Sequence, residues 1–261
     1  MNKLLLIDGT NILRRCYEAN PTMDSVEKAE SAASVALQSM KRGLREHRPS
    51  HCLVVFDAIG PNWRHALYPE YKAHRKPMSP FLQDELLLMN DRMHESGWAL
   101  MSQAGEEADD SIWGVAEAAC AEGEEVVVLS TDKDLVRLVA IGAKVYNHFE
   151  KEWRDTAWCQ AKFGVHPEQL TDYLALMGDS TDGIPGVEGV GAKTAARLLV
   201  EHGTLEAILD AAVAGEVPGK VGERLVAQAP LALLSQKLAS LRSSFSALDL
   251  WWDELEAPVF S

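Results

Sequence analysis

Leu4-Leu5-Leu6-Ile7-Asp8 sets four apolar residues against a closing acid, and the same figure returns twice along the chain. It recurs as Leu53-Val54-Val55-Phe56-Asp57, and again as Val126-Val127-Val128-Leu129 with Asp132 following after Ser130-Thr131. Short continuous apolar runs of this kind read as strands buried on both faces. Two further runs, at 99–101 and 145–146, extend the set, and helical spacing fills 31–48, 80–95 and 107–122 between them. Alternation of strand and helix predicts an α/β fold, a mostly parallel central sheet with helices on both faces. From 167 onward no strand pattern is visible, and 167–177, 192–202, 204–214 and 230–241 read as helices. The expected division is an α/β core over 1–165 and a helical C-terminal region over 166–261.

Strands running in parallel bring their carboxyl ends to one edge, where ligands bind. Asp8, Asp57 and Asp132 are therefore expected to converge. An aspartate after a strand also serves as a helix cap or turn starter; three in corresponding places favour a shared site. Close carboxylates cannot all stay ionised without a cation, and hard oxygen donors favour Mg²⁺ or Mn²⁺ over zinc. Glu106-Glu107-Ala108-Asp109-Asp110 places four acids in five residues at the start of a helix. The helix dipole accounts for one or two of them. Glu107 and Asp110 lie three apart on one face with Asp109 beside them, which extends the acidic edge. Ser130–Asp134 adds Asp132 and Asp134, and residues 178–183 add Asp179 and Asp182, enough for a second cation. Each of these, taken singly, is also a cap or turn signature.

The formal net charge is −14, which by its sum argues against a nucleic-acid partner. Nine of the 39 acids are Asp8, Asp57, Glu107, Asp109, Asp110, Asp132, Asp134, Asp179 and Asp182 of these motifs, however, and the cations cluster locally. The segment 63–77 carries Arg64, Lys72, Arg75 and Lys76 interleaved with Trp63, Tyr68 and Tyr71, a pattern suited to phosphate contact and base stacking. Lys41, Arg42, Arg45 and Arg48 read as the solvated face of a helix; Arg14 and Arg15 follow Asp8 closely enough to reach a phosphate. Residues 184–195 are rich in glycine but are not a phosphate-binding P-loop. Ala192 separates Gly191 from Lys193, and no apolar strand precedes. A helix-hairpin-helix fits better: Gly189 and Gly191 turn the chain, backbone N–H groups and a helix N-terminus approach a phosphate, and Lys193 and Thr194 add contacts. Such contacts position a duplex without reading its sequence. A plain helical corner with glycine caps is the alternative.

Four widely spaced cysteines with no C-x-x-C pair suggest reduced packing residues of a cytoplasmic protein. No apolar run reaches membrane-spanning length, and the acid at position 8 interrupts what a signal peptide would keep apolar.

Taken together, Leu-Ile-Asp-Gly at 6–9, Val-Val-Phe-Asp-Ala at 54–58, Trp-Arg-His at 63–65, Pro-Glu-Tyr-Lys-Ala-His-Arg at 69–75, Glu-Ala-Asp-Asp at 107–110, Ser-Thr-Asp-Lys-Asp at 130–134 and the run 178–195 resemble the 5′-nuclease (flap endonuclease) family. The likeness is closest to the 5′-nuclease domain of bacterial DNA polymerase I and its stand-alone relatives. It implies a PIN-like 5′-nuclease core with an arch or gateway about 68–95, plus a helix-hairpin-helix motif about 170–202. It implies Asp8, Asp57, Glu107, Asp109 and Asp110 as ligands of a first cation, some through water, and Asp132, Asp134, Asp179 and Asp182 as the second set. Lys72 and Arg75 would act on the scissile phosphate, while Arg64, Tyr71, Gly189, Gly191, Lys193 and Thr194 would bind DNA. Two Mg²⁺ ions, replaceable by Mn²⁺, and a K⁺ ion at the hairpin loop are the implied cofactors. DNA with 5′ ends, flaps or branches is the implied substrate of a monomer. The family pattern has Asn where this chain has Gly183. With no polymerase segment after 261, a polymerase or ligase partner is expected to complete any repair. A catalytically weak protein that binds branched DNA is the alternative function.

Overall fold

The computed structural model describes residues 2–245 and 252–259, so part of the expected 166–261 region lies outside the described residues. The first acid-tipped run forms β1 (Lys3–Asp8) and is followed directly by α1 (Gly9–Ala19), whose N-cap is Asp8 itself. Next come α2 (Val26–His47), β2 (His51–Val55), α3 (Trp63–Leu67), α4 (Pro80–Glu95), β3 (Ala99–Met101), α5 (Ala108–Ala121), β4 (Glu125–Leu129), β5 (Lys144–Asn147) and β6 (Glu152–Arg154). The helices α6 (Thr156–Phe163), α7 (Leu170–Met177), α8 (Ala192–His202), α9 (Leu205–Val213), α10 (Gly219–Ala227) and α11 (Ala229–Ala239) follow.

Among the described residues the strands form one six-stranded sheet in the order β3-β2-β1-β4-β5-β6. The pairs β1–β2, β1–β4, β2–β3 and β4–β5 are parallel. After β1 the chain moves out to β2 and β3, then crosses to the other side of β1 to lay down β4. The order of strand addition reverses there, and in open parallel sheets ligands bind at the carboxyl ends of the strands beside such a point. Alternation sorts the side chains. Leu5, Ile7, Cys52, Val54, Val127 and Leu129 share one core with α1, α2 and α4. The intervening Leu4, Leu6, Leu53, Val55, Val126 and Val128 are equally buried and point to the opposite face. The helix α5 contacts β1, β2 and β4, with Ile112, Val115, Ala116 and Ala119 buried.

Contacts divide the chain into two compact units. One comprises residues 1–62, 76–153 and 242–261 and contains the sheet; the other comprises 63–75 and 154–241 and is helical. The basic segment 63–75 thus belongs by contact to the helical unit, and the chain from 242 returns to the α/β unit. Residues 80–95, within the stretch expected as an arch, form a helix whose Leu82, Leu86, Met89 and Met93 are buried and which contacts α2. No helix among the described residues is long and apolar enough to cross a membrane.

Candidate active site

In the α/β unit the register fixes where the acids fall. Asp8 pairs with Val55 and Ile7 with Leu129, so Asp57 and Ser130-Thr131-Asp132 leave the sheet beside Asp8 at the carboxyl edge. Asp8 is only 3% exposed. One of its oxygens accepts from the Asn11 N–H at 3.0 Å and the other from the Ser130 hydroxyl at 2.8 Å. Burial pushes its carboxyl up to about 7; the Asn11 N–H opposes this, the Asp57 charge adds to it, Ser130 opposes it and Asp132 adds to it. Asp8 therefore feels both Asp57 and Asp132 at the edge where the strand pattern placed them.

The neighbours are held by a polar lattice that the strand pattern alone does not reveal. The Asp57 N–H donates to Thr10 Oγ1 at 2.8 Å, and Asp57 Oδ1 accepts from the Ala108 N–H at 2.9 Å, tying the end of β2 to the first turn of α5. The Thr131 N–H and hydroxyl both donate to Asn11 Oδ1, at 3.0 and 2.6 Å. Asp132 N–H donates to Ser130 Oγ, and Asp132 Oδ1 accepts from the Asp134 N–H at 2.8 Å. Thr10, Asn11, Ser130 and Thr131 thus hold the acidic edge and were not singled out in the sequence; the signal for the first two was Asp-Gly-Thr-Asn directly after a strand.

At the acidic turn, Glu107 is the N-cap of α5 and its N–H donates to Asp110 Oδ2 at 3.2 Å. Asp110 is fully buried, and its Oδ1 accepts from the Arg242 N–H at 3.1 Å. Glu107 and Asp109 are half-buried. Among the described residues no group of three or more His, Cys, Asp or Glu is arranged as a finished metal cage. The fit to a cation is one of chemistry: an all-oxygen donor set, and a carboxyl raised by burial and then by its acidic neighbours.

In the helical unit Asp179 and Asp182 stand on the loop after α7. Asp179 exchanges backbone hydrogen bonds with Ile184 and caps the turn through its Oδ1, which accepts from the Thr181 N–H at 2.7 Å. Asp182 is the partner of the basic segment. Arg75 pairs with its Oδ1, Lys72 Nζ lies 3.6 Å from its Oδ2, and the Tyr71 hydroxyl donates to it at 3.3 Å. The Lys72 N–H donates to the Asp182 carbonyl, and Lys72 holds a left-handed φ of 54°. Gly183 has φ 72°, a conformation that Gly and Asn both tolerate, so the departure from the family's Asn preserves the turn.

Arg64, expected at DNA, is 2% exposed. Its Nε donates to the Leu238 carbonyl at 2.9 Å and its Nη2 to the Ser240 carbonyl at 2.7 Å, so it ties α3 to the end of α11. Tyr71 is likewise buried, with the Arg64 guanidinium over its ring. Both placements differ from the expectation that Arg64 and Tyr71 face DNA.

The glycine hairpin lies between α7 and α8. Gly189, at φ 77°, has the Arg224 guanidinium where a Cβ would stand. Arg224 Nη1 donates to the Glu188 carbonyl at 3.3 Å, and the Glu188 N–H donates to Gln228 Oε1 at 2.9 Å. Gly191 is the N-cap of α8, open around its Cα, and no side chain caps that terminus or places an acid in its first turn. Gly191 and Lys193 are exposed and Thr194 half-buried. The terminus therefore presents unsatisfied N–H groups and a cation, an arrangement that favours an anion.

Comparison with known proteins matches this geometry. Residues 3–164 match the family "5′-3′ exonuclease, N-terminal resolvase-like domain", and residues 165–259 match "5′-3′ exonuclease, C-terminal SAM fold". The chain is 34% identical to flap endonuclease Xni of Photorhabdus laumondii over 94% of each chain. It is also 34% identical to flap endonuclease Xni of Serratia proteamaculans, over 99% of this chain and 100% of that one. In fold it is similar to the T5 5′-exonuclease solved with bound zinc, with a TM-score of 0.78, 23% identity, and coverage of 92% of this chain and 89% of that one. It is similar too to the catalytic core of Rad2 in complex with DNA, with a TM-score of 0.64, 15% identity, and coverage of 96% and 83%. A resolvase-like α/β unit with acids on its sheet edge, followed by a helical unit with a glycine hairpin, places this chain in the 5′-3′ exonuclease family.

Proposed function

We propose that this chain is a structure-specific 5′-nuclease, a flap endonuclease or 5′-3′ exonuclease that hydrolyses phosphodiester bonds in 5′-ended, flapped or branched DNA. The buried Asp8 carboxyl, raised to about 7 beside Asp57 and Asp132, carries the reading. Such a group needs a proton or a cation, and carboxylate oxygens suit Mg²⁺, with Mn²⁺ able to substitute. Asp8, Asp57, Glu107, Asp109 and Asp110 would hold the first ion, some of them through water. Asp132 and Asp134 would hold the second; Asp179 and Asp182 join that set on motif alone. Divalent ions in such a set acidify water for attack at phosphorus and offset the charge of the transition state.

The protein's own groups do the positioning. Asn11, Ser130 and Thr10 fix the acids of the sheet edge. Lys72 and Arg75, once exchanged from Asp182 to a phosphate, would stabilise developing negative charge. The α8 N-terminus with Gly189, Gly191, Lys193 and Thr194 would grip the duplex backbone without reading bases, and a K⁺ ion held by backbone carbonyls of that loop is part of the same proposal. We take the chain to act as a monomer in the cytoplasm, which its four free cysteines fit; a polymerase or ligase would complete repair. Cleavage of a 5′-labelled flap duplex, with Mg²⁺, with EDTA and with Asp109→Asn, tests the reading. Cutting that needs the metal and collapses in the variant supports it. An intact flap in both Mg²⁺ and Mn²⁺, despite binding, overturns it.

A further inference from the structure

Glu106 stands immediately before the acidic turn, and the nuclease reading gives it no task. Its carboxylate is buried, 7% exposed. Oε1 accepts from the Ser244 N–H at 2.5 Å and the Ser244 hydroxyl at 2.8 Å. Oε2 accepts from the Ser243 hydroxyl and the Ser111 hydroxyl, both at 2.9 Å. A carboxylate has about four acceptor positions, and four donors fill them. This separates Glu106 from Glu107 in a way the sequence cannot: the two are adjacent and identical, yet the first has no lone pair left for a cation.

Three of those four donors come from one short segment of the C-terminal chain, residues 242–245. Arg242 gives its N–H to Asp110 Oδ1 at 3.1 Å, and Ser243 and Ser244 engage Glu106. The segment is itself turned by the Phe245 N–H donating to Ser243 Oγ at 3.0 Å. It lies close along α5: a Cβ on Gly114 would stand 2.6 Å from Ser243 Cβ and 3.2 Å from Phe245 Cβ. Asp110 and Gly114, four apart, share one face of the helix, so one stripe of α5 is shaped to receive the segment. Further on, the Cys52 N–H donates to the Leu255 carbonyl at 2.7 Å and the Ala257 N–H to the Ser50 carbonyl at 2.9 Å. The C-terminal chain is thus fastened to the α/β unit at both of its described ends.

The consequence falls on the residues between the anchors. Glu107, Ala108 and Asp109 are bracketed by Glu106 and Asp110, both held by the segment, while Asp57 takes the Ala108 N–H from the other side. We propose that Glu106 is a positioning residue, and that the strap 242–245 which it and Asp110 bind sets the orientation of Glu107 and Asp109 toward a divalent cation. The proposal rests on the metal-dependent nuclease reading. Partners that orient ligating groups contribute about 10- to 100-fold to metal affinity or activity when removed.

Glu106→Gln keeps the shape but turns an amide NH₂ toward hydroxyl and N–H donors. Gly114→Ala touches no proposed ligand and pushes the strap off α5. The measurements are kcat and KM on the 5′-labelled flap, the Mg²⁺ concentration for half-maximal rate, and the rise in Tm produced by Mg²⁺ without DNA. In Glu106→Gln and Gly114→Ala the half-maximal Mg²⁺ concentration is expected to rise about tenfold. In both variants kcat falls at low Mg²⁺, KM for DNA stays within twofold, and the Mg²⁺-induced Tm rise shrinks. A lowered Tm with unchanged Mg²⁺ dependence in both variants overturns the positioning role. If the wild type cleaves nothing, the nuclease reading fails separately, and the Mg²⁺-induced Tm rise of wild type against Glu106→Gln still decides whether the strap orients a cation site.

Discussion

Metal-free protein should lose stability as pH rises toward neutrality, and Asp8 should be a principal cause. Its carboxyl moves from an ordinary 3.8 to about 7 on folding, first because burial disfavours the charged form and then because Asp57 and Asp132 are near. An acid whose pKa is raised by folding binds its proton more tightly in the native state. Its contribution is fully present below the unfolded value and is lost as pH climbs through the folded one, here between about 4 and 7. A gap of about three pKa units corresponds to about 4 kcal/mol as a ceiling. At 2–4 °C per kcal/mol for a chain of this size, that is a fall in Tm on the order of 10 °C. The assay is thermal unfolding followed by circular dichroism from pH 4 to 8 in EDTA, for the wild type and for Asp8→Asn, whose amide mimics the protonated acid. Buried His47 and His148, both held below their ordinary range by burial, contribute with the opposite sign but cancel in the difference between the two proteins. The wild-type curve should fall relative to the variant between about pH 4 and 7 and run parallel to it above, and Mg²⁺ should restore the wild type at pH 8 while doing little at pH 4. Parallel curves for the two proteins across this range would refute the electrostatic account of the site.

The other expectations concern the helical unit. Arg64→Met should lower stability by about 2–3 kcal/mol, the scale of charged hydrogen bonds lost from a buried site, while leaving the salt dependence of flap binding unchanged; a reduced salt slope would return Arg64 to the DNA surface. Lys193→Ala should weaken binding to any duplex sequence alike and reduce the slope of log affinity against log salt by about one, without a change in Tm. Arg75→Ala leaves Asp182 with Lys72 as its remaining cation partner and should depress cleavage while binding of an unbranched duplex persists, as read by gel shift and by initial rates.

Much of the α/β sheet was legible because a strand buried on both faces has to be apolar at every position. The runs at 4–7, 53–56 and 126–129 announce themselves without periodicity, and 80–95 was bounded correctly by Pro80 and the loss of spacing after Glu95. The helix α1 was not seen, although Ile12, Leu13, Cys16 and Tyr17 form a sound stripe: Asp8 ends the strand and caps the helix at once, so no linker marks the change. The helix α2 begins at Val26 behind the Ser25 cap, ahead of the expected residue 31, because its first turns bury Ala29, Ala32 and Ala33, small residues with little hydrophobic signal. The helix α10 buries only Gly222 and Leu225, and β6 has three residues; neither is long enough to show a period.

The sequence by itself determined that the chain alternates strand and helix, that acids close three strands, and that a glycine hairpin follows. These are local facts, written in composition and spacing. Only the tertiary structure decided what each polar group does, because hydrogen-bond partners lie far apart along the chain. It made Glu106 a strap anchor and left Glu107 half-buried at the N-cap, residues that one-dimensional reading cannot tell apart. It buried Arg64 against carbonyls 174 and 176 residues away, and it paired Lys72 and Arg75 with Asp182. A charge is visible in a sequence, but whether it meets water, a carbonyl or another charge depends on which distant backbone folds against it.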